Sequence, residues 1–244
     1  MLQSPIPRLS KIGAADKIMI AALAVATLAL RVPPPLLCAT PGAAFTESPG
    51  WPPVEKALDQ LPVFTVANNE GKPLQYEFDG KPVALFYADV EAAKNELSSA
   101  QEQFPDLGCD IIPFGLGRAY VLQCEDKAML VPSVKDLSAA GLPAGMPAVG
   151  QPLPLFACME MSREGPTGTP VLPLFMSHAD CVAAVKQATS SDLAEGEEKL
   201  EVVGLSLPNV VERLSSVADD APGFTFIAPA ASAEHIRAYL GTEG

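Results

Sequence analysis

The 244 residues are 48% apolar and 18% charged with a net charge of −13, the composition of a packed globule rather than of a disordered chain. Residues 1–46 set Arg8, Lys11, Lys17 and Arg31 against Asp16 alone, a net of +3, so the remainder carries −16; a body of that sign repels phosphate backbones and argues against nucleic acid as a partner. The longest clean apolar run, Ile18 to Leu30, has 13 residues where a membrane-spanning helix needs about 20, which excludes a polytopic membrane protein.

Residues 1–44 read as a targeting leader: a basic stretch, the apolar run, a proline-rich spacer and the small residues Pro41-Gly-Ala-Ala44, with processing expected near Ala44. The lack of acids between Asp16 and Glu47 resembles an organelle transit peptide, whereas the apolar core resembles a secretory or thylakoid-transfer signal. The alternative is an amphipathic or anchoring helix that stays on the protein.

Beyond the leader, the order of elements repeats. A strand over Pro62–Val66 precedes the turn Asn68–Gly71 and a second strand, Leu74–Phe78; Asp79-Gly80 then turns the chain into a third, Pro82–Tyr87. Asp89 caps a helix whose apolar positions Val90, Ala93, Leu97, Ala100 and Phe104 share one face. Ile111–Leu116 and Ala119–Leu122 read as a hairpin turning at Gly117-Arg118, followed by a short strand, Ala128–Val131, and a helix opened by Ser133 with Asp136 three residues on. From Pro152 the pattern returns. Strands at Pro154–Ala157 and Pro173–Met176 lead into a helix near Ala179–Ala188 with Ser177 and Asp180 as caps, then strands Leu200–Ser206 and Phe224–Pro229 and a last helix through Ile236 and Leu240. Only Leu207–Leu214 breaks the match, because Val210, Val211 and Leu214 suit a short helix where the first half has a strand.

The fold class expected is therefore α/β (α+β), with two pseudo-twofold related halves, each a small sheet with two helices, packed as one body. The first repeat is assigned to 45–141, a Gly- and Pro-rich linker to 142–151 and the second repeat to 152–244.

Catalytic chemistry has little to stand on. His178 and His235 lack a second ligand at metal spacing, Gly115-Leu-Gly117 lacks the third glycine of a dinucleotide loop and reads as a hairpin turn, and Glu195, Glu197, Glu198 and Glu201 lack the alternation of a calcium loop. No catalytic residue, cofactor or metal site is assigned. With Cys38 in the leader, four cysteines remain, at 109, 124, 158 and 181; the expected hairpin would bring Cys124 diagonal to Cys109, a candidate disulfide, against the reading of all four as buried apolar thiols.

The phrases PVFTVANNEGKPL, VALFY before an acid-capped helix, Ile112-Pro-Phe-Gly-Leu-Gly-Arg-Ala-Tyr-Val-Leu122, MLVPSVKDL, PLFACMEM and PLFMSHADCVAAVKQA together resemble the Tic-22-like family, the twenty-two-kilodalton subunit of the translocon at the inner chloroplast envelope. The resemblance covers most of residues 58–190. It implies a soluble or peripherally membrane-attached factor of the plastid (chloroplast) envelope intermembrane space that helps precursor proteins across. Its partners would be precursors with basic transit peptides and other translocon subunits. The strong apolar core of the leader leaves the thylakoid lumen, or a plastid with extra membranes, as alternatives. An acidic two-lobed body would attract basic transit peptides, with apolar grooves supplying contact energy; Phe64, Phe86, Phe114, Tyr120, Phe156 and Phe175 are the candidate peptide-binding residues, each set against a core role. A thiol-redox enzyme and a structural or assembly factor of a plastid complex are the competing classes.

Overall fold

The computed structural model describes residues 46–164, 170–191, 200–216 and 223–241. The leader assigned to residues 1–44 lies outside them, as do Glu195, Glu197 and Glu198.

Helix α1 (Trp51–Leu58) begins with prolines in its first turn, where their missing N–H removes no helical bond. Strands β1 (Pro62–Ala67), β2 (Gln75–Phe78) and β3 (Lys81–Tyr87) follow. Between the last two, Asp79 and Gly80 take φ of 49° and 76°, the pair of positive values that a two-residue hairpin turn needs. Helix α2 (Val90–Gln103) starts where Asp89 accepts the Glu91 N–H at 2.9 Å. Val90, Ala93 and Ala100 are buried beneath it, but Phe104 is not: the helix ends at Gln103, residue 104 turns to φ −135°, and its ring is left 52% exposed.

After β4 (Asp110–Gly115) the structure departs from the expected hairpin. Leu116–Cys124 is a helix, α3. Its start is set by a residue far away in sequence: Asp59, just past α1, accepts the Arg118 N–H at 3.0 Å and lies 3.6 Å from the Arg118 Nε. A Cβ on Gly117 would come within 2.6 Å of the Glu55 carbonyl oxygen, so the glycines of this phrase let α1 approach rather than reverse the chain. Strand β5 (Ala128–Val131) and helix α4 (Val134–Ala139) close the first half.

The second half runs β6 (Pro154–Cys158), β7 (Arg163–Glu164), β8 (Pro170–Phe175), α5 (His178–Ser191), β9 (Val202–Ser206), α6 (Leu207–Ser216), β10 (Gly223–Ile227) and α7 (Ala230–Gly241). With α3 recognised as a helix, the one break in the repeat disappears, since α6 answers it. The sheets match strand for strand. In the first, β3 pairs antiparallel with β2 and β1 and parallel with β5, and β1 pairs antiparallel with β4; in the second, β8 pairs in the same senses with β7, β6 and β10, and β6 with β9. Registers agree as well: Phe64 faces Tyr87 as Phe156 faces Phe175, and Pro62 faces Gly115 as Pro154 faces Ser206.

One apolar core joins the halves. Val63, Ala84, Phe86 and Leu130 from the first sheet, Leu155, Ala157, Leu172, Leu174 and Leu205 from the second, and Leu58, Tyr120, Leu207 and Val211 from α1, α3 and α6 belong to a single buried cluster. The far faces are covered by exchange. On the first sheet, Phe64, Tyr87 and Ile111 lie under α2 and also under Ile236 of α7, while on the second, Phe156, Phe175 and Val202 lie under α5 and Ala140 at the end of α4. Each half thus lends its last helix to the other. Burial on this scale is worth about 25 cal/mol per Å² of apolar surface, and both sheets draw on it.

Candidate functional site

The six aromatics proposed to bind peptide do not form a groove. Phe64 and Tyr120 are fully buried, Phe86 and Phe156 are 1% exposed, Phe175 is buried, and only Phe114 is partly accessible. They are also dispersed. Strand alternation sends Phe86 and Phe114 to the shared core, where their rings sit 5.0 Å apart, and Tyr120 joins them from α3 beside Trp51; Phe64 lies on the far face of the first sheet, Phe156 and Phe175 on the far face of the second. A side chain with no solvent surface cannot meet an incoming chain without unpacking the core, so these aromatics are core residues rather than a peptide groove.

The histidines serve packing. His235 of α7 sets its ring edge-to-face on Phe64 with centroids 5.4 Å apart, and His178 does the same on Phe156 at 5.1 Å. Each fastens a helix to an outer sheet face. Among the described residues no group of three or more His, Cys, Asp or Glu side chains is placed to hold a metal ion. The Gly-Leu-Gly phrase does open a helix, but the positive end of that helix is taken by the Asp59 carboxylate, leaving no room there for a phosphate.

The cysteines at 109, 124, 158 and 181 are all thiols. The hairpin that would have set Cys124 diagonal to Cys109 is not formed, because α3 carries Cys124 away from the strand ladder, and the candidate bridge loses its geometric basis. Cys158 donates to Glu160 Oε2 at 3.2 Å; burial first, then that bond and the carboxylate charge, push its thiol up to about 12, and burial pushes Cys181 up to about 11. Thiols held protonated in this way are poor nucleophiles near neutral pH.

Three carboxylates not singled out for their tertiary roles organise the structure. Asp59 starts α3. Asp136 Oδ1 accepts the His178 N–H at 2.8 Å, tying α4 to α5, and Asp180 Oδ2 accepts the Ala230 N–H at 2.9 Å, tying α5 to α7. Burial raises the Asp136 carboxyl above its ordinary value, against the lowering effect of its bonds from His178 and Ser133. A fourth, Glu96, accepts from the Tyr76 hydroxyl at 2.6 Å and also bonds Tyr87; burial and the neighbouring carboxylate raise both phenols, keeping them protonated. Glu96 stands three residues after Ala93 and four before Ala100 on the inward face of α2, and a polar residue in an apolar stripe is the sequence signal that could have found it.

What remains accessible is acidic and sparsely apolar. Among the described residues the large exposed apolar side chains are Phe78, Phe104, Leu107 and Val134, of which Phe104 and Leu107 share one turn at the end of α2. All five ion pairs among the described residues lie at the surface, where each is worth about 0–1 kcal/mol. No described helix is long and apolar enough to cross a membrane.

No protein-family model matches the chain, and no curated protein does. Solved structures do. Tic22 from Plasmodium falciparum superimposes with a TM-score of 0.62 at 18% identity, over 77% of this chain and 98% of that one. Anabaena Tic22, a protein-transport protein, gives a TM-score of 0.55 at 20% identity, over 76% of this chain and 95% of that one. Both superpositions take in nearly the whole of the other molecule, so the two-sheet body with its paired helices is what is held in common: the protein has a Tic22-like fold.

Proposed function

We propose that the protein is a non-enzymatic protein-transport factor that binds precursors bearing basic transit peptides and escorts them across the plastid envelope intermembrane space. The observation that carries this reading is the Tic22-like fold, found also in a protein described by its role in protein transport. The electrostatics support it. A body of −16 draws basic segments from a distance and speeds their encounter, and the raised thiols of Cys158 and Cys181 weigh against a thiol-redox activity. Translocon subunits are the further partners, with peripheral attachment to the membrane. The apolar stretch Ile18–Leu30 favours a second reading, an assembly factor of a plastid complex in the thylakoid lumen.

The test is a titration of fluorescently labelled transit peptide against the protein lacking residues 1–44, at low and at high salt. Binding that weakens as salt screens the charges supports the first reading. Absence of binding at low salt refutes it, and recovery of lumenal rather than translocon subunits with a tagged form in plastids favours the second.

A further inference from the structure

The two halves end their sheets on equivalent strands, β4 and β9, and the exposed edges of those strands differ. In an antiparallel pair, alternate residues exchange both backbone bonds with the neighbour and the residues between them point the other way. The Leu116 N–H donates to the Leu61 carbonyl at 2.9 Å and the Leu207 N–H to the Leu153 carbonyl at 2.8 Å. Counting back along the registers, Ile111, Pro113 and Gly115 of β4 direct their main-chain groups away from β1, and Val202, Gly204 and Ser206 of β9 direct theirs away from β6.

On β4 this edge is blunted. The Ile111 N–H is taken by Asp110 Oδ1 at 2.7 Å, and Pro113 has no N–H to offer. Such devices keep a sheet edge from pairing with another chain. On β9 Val202 stands in place of Ile111 and Gly204 in place of Pro113, and among the described residues the N–H groups of Val202, Gly204 and Ser206 have no hydrogen-bond partner. These three residues are partly accessible. Glu201, in the place of Asp110, is exposed at the head of the strand.

We propose that β9 is a docking edge that takes an extended, basic peptide segment as an added strand, with the Val202, Gly204 and Ser206 amides paired to the peptide backbone. This rests on the reading of the protein as a binder of basic precursor segments and gives that binding a place and a mode. Unpaired main-chain groups select an extended backbone. Alternation then fits a segment whose apolar side chains continue the layer of Val203 and Leu205 toward the shared core; Glu201, exposed at the head of the strand on that same face, and the net charge of −16 favour basic residues over acidic ones in the segment. A second copy of this chain is the poorer occupant, because two bodies of −16 repel.

The experiment uses the protein lacking residues 1–44 and a labelled peptide of alternating arginine and valine, with a version N-methylated at every second residue. Affinity is read by fluorescence anisotropy and amide protection by hydrogen exchange. The expected result is gained protection at Val202, Gly204 and Ser206, and about tenfold weaker binding of the N-methylated peptide. Gly204→Pro, which copies the β4 edge, is expected to weaken binding by about the same factor, while Gly204→Ala, whose Cβ meets Ala140 at an ordinary 3.8 Å, leaves it unchanged. The N-methylated peptide probes the edge even where the proline variant fails to fold. Peptide that binds with protection elsewhere, and with no penalty from N-methylation, overturns the docking edge but not the transport reading. Failure of both this peptide and a transit peptide to bind at low salt overturns both. Protection of β9 that grows with protein concentration alone assigns the edge to self-association and overturns the proposal.

Discussion

The two halves share strand order, register and helix placement, yet the polar bonds that fasten them are unevenly distributed. Both exchanged helices are tied to α5: Asp136 from α4 bonds its first residue, and Asp180 within it bonds the first residue of α7. Helix α2, the counterpart of α5, meets α7 through apolar contact, and α7 is held to β1 by the His235–Phe64 ring pair. Asp136 reaches across, but other polar groups of the first half act within it, with Asp59 starting α3, Asp110 covering an edge amide and Gln123 Oε1 accepting the Leu130 N–H at 2.8 Å. Duplication therefore preserved the apolar frame while the hydrogen-bonding side chains diverged, as expected where packing tolerates few solutions and capping tolerates many.

The largest effects should leave the halves indistinguishable. Phe64→Ala and Phe156→Ala each empty a buried site under an exchanged helix and should each cost about 3–5 kcal/mol. Because the core is common, urea unfolding followed by fluorescence and by circular dichroism should remain one transition in both variants; two separated transitions would show that the halves fold independently. Gly117→Ala sharpens the contrast, since its Cβ meets the Glu55 carbonyl oxygen. It should lose about 1–3 kcal/mol by forcing α1 from α3, and a neutral melting result would mean that this approach is loose.

The smallest of the three depends on pH. The folded Asp136 carboxyl lies above its unfolded value because it is buried, so its contribution to stability is fully present below the ordinary carboxylate range and is lost as pH rises through the folded value. Asp136→Asn keeps an oxygen for the His178 N–H but has no charge to desolvate, and melting temperatures measured through and just above the ordinary carboxylate range should fall less steeply with rising pH than in the parent. An unchanged slope would show that this carboxyl is not the titrating group.

Much of the frame was legible in the sequence because its signals are local. The alternation in β1 and β3, the Asp79-Gly80 turn, the Asp89 cap and the amphipathic run of α6 each act within a few residues, and each element forms where those signals lie. Helix α3 is hidden in the sequence because Ala119-Tyr-Val-Leu122 has strand-prone residues and the glycines before it resemble a turn; the deciding partner, Asp59, lies 59 residues from Arg118. The peptide-binding aromatics failed for a related reason. Strand alternation says that Phe64 and Phe86 face opposite ways, but not that both faces are covered, and the exchange of α4 and α7 that covers the outer ones leaves no periodic mark on the chain.

That exchange also sets an order of events during synthesis. The first sheet emerges from the ribosome complete in its strands, yet the helix that seals Phe64 and Ile111 is the last described element of the chain. Until α7 arrives, α2 alone covers that face and part of it stands open to water and to other nascent chains, and contacts of such wide sequence separation form slowly. The outer face of the first sheet is sealed only when the last described helix is made.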